Sequence, residues 1–226
     1  MSLLQITTAA SPVATDVPSV QDSMSLLELL LKGGWVMLPI MFLSLVTIYI
    51  IIERSIVLAR ATKVKLGLLE SIKSSILKGD LNSAVTVISQ YDNPVSVMLK
   101  RGVSRIGSPL KEIEASMESA GKLELMKLDK NMSYLAIVAA IAPMLGFVGT
   151  ISGVIKIFYN ISLADNISIG LIAGGLYEKM ITSAAGLIVG IIAHTGYQLL
   201  NMRIESVTFQ MEKAGLEFVD IITEHK

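Results

Sequence analysis

Apolar residues crowd into three stretches that carry no charge and are long enough to cross a bilayer: Trp35–Ile52, Met132–Ile155 and Met180–Met202. The third reaches back to about Ile167 if Glu178 and Lys179 lie inside the span. The pattern predicts an all-α membrane protein with three transmembrane helices. Residues 1–24 read as a flexible tail rich in Ser, Thr, Ala, Pro and Val, without the basic head of a signal peptide. Within 25–52, the run from Ser25 to Lys32 can form a short amphipathic helix that stops at Gly33-Gly34, and Trp35 then anchors the first span at an interface.

Between the first two spans, residues 53–131 alternate in helical rhythm. Val64, Leu68, Ile72 and Ile76 recur every four residues up to Gly79-Asp80, and two further apolar-periodic runs follow, the second after Asn93-Pro94. Another helix is expected after Ser108-Pro109, with no breaker before the membrane. The second span (132–158) is therefore expected to continue a stalk. A short loop, 159–167, leads to the third span (168–202), with Asp165, Asn166 and Ser168 as candidate caps. Residues 203–226 extend that span as a second stalk, with Ile204, Val207, Met211, Leu216 and Val219 roughly on one side.

Composition agrees with this class: 226 residues, 52% hydrophobic and only 17% charged, with mean hydropathy +0.64. The chain has no cysteine, which excludes disulfides, thiolate catalysis and Cys-ligated metal. No phosphate loop, nucleophile elbow, paired-histidine metal motif or dinucleotide fingerprint occurs. No enzyme, cofactor, metal or nucleic-acid reading is indicated. Thirteen of the nineteen Lys and Arg residues lie between Arg54 and Lys130, which places 53–131 and 203–226 in the cytoplasm and the N-terminus and the 159–167 loop outside.

At about 100° per residue, Ala139, Pro143, Gly146, Thr150, Gly153 and Ile157 share one face of the second span. Lys179, Ser183, Gly186, Gly190, His194, Tyr197 and Asn201 align on the third. Gly149-x-x-x-Gly153 and Gly186-x-x-x-Gly190 allow close helix approach. Two readings stay open here. The stripes are helix contacts whose hydroxyls bond to backbone one turn back, or they carry chemistry.

The segments "PMLGFVGTISGVI" (143–155) and "GGLYEKMITSAAGL" (174–187) resemble the paired signature of the MotA/TolQ/ExbB proton-channel family. Span order, the helical insert and "IIERSIVLARA" after the first span also agree, over about residues 25 to 220, and three spans fit the ExbB/TolQ type. The resemblance implies a homopentamer in the bacterial inner membrane. Its second and third helices would line a pore around single-span ExbD/TolR-like partners whose aspartate carries the proton. Proton-motive force would be passed to a TonB- or TolA-like protein.

Residue by residue, the motif threonine falls on Thr150 and the glutamate on Glu178, while Ser183 stands where the family usually has threonine. Thr182 adds a hydroxyl, and the set implied for the proton path is Thr150, Glu178, Thr182 and Ser183. Gly146, Gly149, Gly153, Gly186 and Gly190 are the packing positions, and leucine at 149 or 186 is expected to break the ring. Lys179 replaces a small residue and is expected to snorkel or pair with a neighbour. His194 is expected as a hydrogen-bonded packing residue and Lys156 as a snorkelling anchor. A structural scaffold without proton flux and a TolQ-type role in envelope maintenance are the alternatives; a secondary transporter lacks the internal repeat it would need.

Overall fold

A computed structural model of the chain describes residues 34–62, 67–163 and 169–223. Among the described residues there are seven α-helices and no strand: α1 (Met37–Ala61), α2 (Leu68–Leu77), α3 (Leu81–Ser89), α4 (Pro94–Val103), α5 (Leu110–Asp129), α6 (Met132–Leu163) and α7 (Ile169–Thr223). Helices α1, α6 and α7 are long and apolar enough to cross a membrane. The proposed tail, the amphipathic helix at 25–32 and the caps Asp165, Asn166 and Ser168 lie outside the described residues. Tyr159 to Leu163, expected as loop, are the last residues of α6.

The insert is built by local signals. Gly79, at φ +74°, reverses the chain after α2, and Asp80 caps α3 by accepting from the Ser83 N–H at 2.9 Å. Asn93 does the same for α4 from Ser96 N–H at 2.8 Å, with Pro94 in the first turn, where its missing N–H costs nothing. The apolar faces of α4, α5 and the far half of α7 then close one core, which includes Leu99, Ile113, Met117, Val207, Met211 and Phe218. Gly102 lets α4 approach closely: a methyl there would stand 2.6 Å from both Met117 Sδ and Phe218.

Two expectations about the stalks are corrected. Leu216 is exposed, and the buried line on α7 is Ile204, Val207, Met211, Ala214, Phe218 and Ile221. Leu216 lies five residues from Met211, about 140° round the helix, whereas steps of three and four hold a face. The stalk ahead of the second span, α5, is also not continuous with that span. Helix α5 ends at Asp129, Asn131 takes φ +67°, and α6 begins at Met132.

That break is fastened to the end of α1. Arg54 is only 4% exposed. Its guanidinium donates to the Glu53 carboxylate at 2.5 and 3.3 Å and to the Lys127 carbonyl at 3.3 Å, one of the carbonyls that the end of α5 leaves without a helical partner. Asn131 Nδ2 donates to the same Glu53 carboxylate at 3.2 Å. The turn thus keeps its polar groups satisfied where the stalk meets the span.

Asn tolerates a left-handed backbone better than a β-branched residue, for which that conformation costs about 1–2 kcal/mol. Asn131→Val should therefore lower the melting temperature of the detergent-solubilised protein more than Asn131→Gly, which keeps the backbone and loses only a hydrogen bond of about 1 kcal/mol. Equal melting temperatures for the two variants would contradict this role for the turn.

Candidate functional site

Helices α6 and α7 run antiparallel, and their small residues meet in register. Gly153 lies under the aliphatic stem of Lys179, Gly146 on the backbone of Ser183, Gly186 on Ala142 and Gly146, Gly190 on Pro143, and Gly196 near Leu135. A methyl on Gly186 would stand 2.5 Å from the Ala142 carbonyl oxygen and 2.9 Å from the Gly146 Cα; one on Gly146 would stand 3.0 Å from the Ser183 carbonyl oxygen. These are backbone atoms, which cannot rotate out of the way. The close approach that the glycine stripes permit is made within one chain, so leucine at 149 or 186 would first disrupt this helix pair.

Helix α1 covers one side of the seam. Val36, just before its first residue, reaches Gly149 near one end of the seam, and its Ile51 packs on Gly196 near the other. Its opposite face, with Leu38, Phe42, Leu45 and Tyr49, is exposed. The seam therefore has a covered edge and an open edge.

The residues nominated from sequence divide between the two edges. Thr182 is fully buried on the covered edge, with its methyl against Gly149. Thr150 is half-buried, and its hydroxyl donates to the Lys179 carbonyl at 3.1 Å and to the Gly146 carbonyl at 3.3 Å. Ser183, also half-buried, lies about 100° round from Thr182, towards the open edge. Glu178 belongs to α7, but its side chain lies outside the described part. Lys179 sends its stem across Gly153, and its Nζ comes to Gly34, where a methyl would stand 3.5 Å from it.

Gly34 immediately precedes Trp35, which is 73% exposed at the head of α1. Lys179 and Gly153 are thus level with the start of α1, and both α6 and α7 continue about 15 Å beyond that level. Lys156 is exposed on this projecting part.

The expectation for His194 is corrected. Its side chain is exposed and makes no hydrogen bond to another described residue. The wheel sets it on the packing stripe, but at about 80° from Gly186 it falls beyond the contact, which Ala193 fills instead. Among the described residues, no group of His, Asp or Glu is arranged to hold a metal.

This geometry pairs the two halves of the motif, and the match to known proteins covers the same ground. Residues 90–213 match the MotA/TolQ/ExbB proton channel family. The chain belongs to this family. It is 26% identical over 189 residues to a biopolymer transport protein ExbB homolog of Methanothermobacter thermautotrophicus, an alignment that covers 83% of this chain and 67% of the relative. It is 27% identical over 196 residues to the biopolymer transport protein ExbB of Neisseria meningitidis serogroup A, with 80% and 87% covered. The Tol-Pal system protein TolQ of Haemophilus influenzae is 30% identical over 92 residues, 41% of this chain and 40% of that protein. The three spanning helices and this membership make it a multi-pass membrane protein of a proton-channel family.

The seam predicts opposite effects for two glycines of α7. Gly186→Ala should destabilise the helix pair by about 1–3 kcal/mol through overpacking against backbone. At Gly174 an added methyl would meet no other part of the described chain within 4 Å, so alanine should be tolerated and gain up to about 1 kcal/mol of helix propensity. Thermal unfolding of each purified variant checks the pair, and an unchanged melting temperature in Gly186→Ala would contradict the seam.

Proposed function

We propose that this chain is a ring-forming subunit of an inner-membrane energy-transducing complex, working with a single-span partner of the ExbD/TolR type. The observation that carries the reading is that the Thr150 hydroxyl reaches the Lys179 carbonyl of α7, one turn before Ser183, and that both hydroxyl residues are only half-buried in the α6–α7 seam. A hydroxyl both donates and accepts, so such a pair can hand hydrogen bonds to a mobile proton carrier in a space with little water. Helix α1, with its apolar outer face, belongs on the lipid side, and the open edge then faces the axis of a ring, a homopentamer in this reading. The partner's spans would occupy that axis and bring the carboxylate that carries the proton. Proton-motive force would move the partner against the ring and reach a TonB- or TolA-like protein.

The uncharged part of α1, about 24 Å from Met37 to Ile52 with Trp35 just before it, is close to the thickness of a bilayer core. Laid across it, α1 puts Glu178 and Lys179 at the outer mouth of the pore, with Thr150 and Ser183 just inside. The insert, with its excess of Lys and Arg, and the end of α7 face the cytoplasm. Thr182 belongs to the seam. The relatives that align over most of this chain are biopolymer transport proteins, which favours transport as the work done.

A scaffold without proton flux is the second reading, favoured by one observation: both hydrogen bonds of Thr150 go to backbone carbonyls, as they would in ordinary packing. Two variants separate the readings. Thr150→Val with Ser183→Ala removes two hydroxyls with little change of volume, and Glu178→Gln removes a charge. Both should co-purify with the partner in wild-type yield yet lose most proton-motive-force-dependent uptake, at least ten-fold for the double variant, while Lys179→Ala is milder. Wild-type uptake in both would remove the proton-path assignment and leave the scaffold.

A further inference from the structure

The open edge of α7 continues below the glycine seam as a line of polar side chains. His194 and Gln198 are both exposed, and neither bonds to another described residue. Asn201 follows, its amide donating to the Glu205 carboxylate at 2.8 Å. The spacing of four, three and four residues keeps these groups on one side of the helix. Gly196, between His194 and Gln198, packs on Ile51 of α1 on the covered edge, so the line runs along the side that α1 leaves open.

The same contact sets the depth. Ile51 is two residues before Glu53, the first charge after the α1 span. His194 therefore lies about 6 Å inside the level of that charge, with Gln198 near it and Glu205 beyond it. A histidine and a glutamine without partners are not tolerated against lipid hydrocarbon, where every polar group has to be satisfied. They face water or another polar surface.

We propose that His194, with Gln198 and the Asn201–Glu205 pair, forms the exit track by which protons leave the pore on the insert side. This rests on the proton-coupled reading above and adds the residues of its lower half. A proton released by the partner's carboxylic acid or by pore water is taken by one imidazole nitrogen, and the N–H proton of the other nitrogen passes to water held by Gln198. Loss of that proton leaves the ring neutral in its other tautomer, which resets before the next transfer, so one proton enters the track and one leaves. Gln198 carries no proton and orders water by donating and accepting. The Glu205 carboxylate, held by Asn201, places negative charge at the outlet.

The chain lacks cysteine, so single cysteines test the track in the full complex with its partner. Leu199 is exposed on the other side of α7, about 140° from His194, and serves as the lipid-side control. Added from the insert side, a charged thiosulfonate should modify His194→Cys and Gln198→Cys at least ten times faster than Leu199→Cys. Equally slow modification of all three would overturn the proposal and make the line a dry contact between subunits.

The proton step is read separately. With complex yield unchanged, His194→Leu and His194→Gln should each lower proton-motive-force-dependent uptake at least five-fold, because neither side chain titrates. Wild-type uptake in His194→Gln would overturn the relay while leaving the proton-coupled reading intact. Uptake by the unmodified complex that persists after the proton-motive force is collapsed would overturn that reading and the relay with it.

Discussion

Gly186 lies so close to the Ala142 carbonyl and the Gly146 Cα that no side chain fits between them, and the placement of every candidate group in the membrane follows from that approach. In hydrocarbon there is little hydrophobic gain when two helices meet, so close van der Waals contact over small residues has to hold the pair. The contact fixes the register of α6 against α7. That register carries the Thr150 hydroxyl to the Lys179 carbonyl and sets the Ser183 backbone on Gly146. Chemistry and packing are therefore not alternatives at these positions. The same glycines that seal the pair decide where its hydroxyls stand.

The pair is made asymmetric by α1. Val36 and Ile51 close one edge of the seam and leave the other bare, which gives a helix pair in a membrane an inside and an outside. At the insert end the arrangement is fastened by Arg54, Glu53 and Asn131, which join the last turns of α1 to the break between α5 and α6. A movement of α6 relative to α5 has to pass through this turn. The 55-residue α7, by contrast, has no break and links the Lys179 end of the seam to the core of the insert around Phe218 as one rod.

Much of this was legible in the sequence. Uncharged length marks a span, and four-residue spacing of glycines marks a face that touches a helix. A face does not name its partner, however, so the glycine stripes of Gly146 and Gly186 could not be assigned to contacts within or between chains until the register was seen. Asn131 was missed because asparagine is only a weak helix breaker. Its left-handed backbone is selected by the need to redirect α6 and by Glu53, seventy-eight positions away. The motif position falls on Ser183 and not on its neighbour Thr182, but it does not tell which of the two hydroxyls is covered, and the packing buries Thr182. The exposure of His194 follows from a rotation of about 80° away from the seam, a margin that a helical wheel does not resolve.

In the proposed complex the α1-free edge of the α6–α7 pair faces the partner and the exposed face of α1 faces lipid. A photo-activatable amino acid at Leu187, seven residues before His194 on the open edge, tests it against one at Phe42, on the outer face of α1. In membranes that contain the cognate single-span partner, irradiation should join the partner to position 187 and not to position 42. Crosslinks from position 42 with none from position 187 would contradict it.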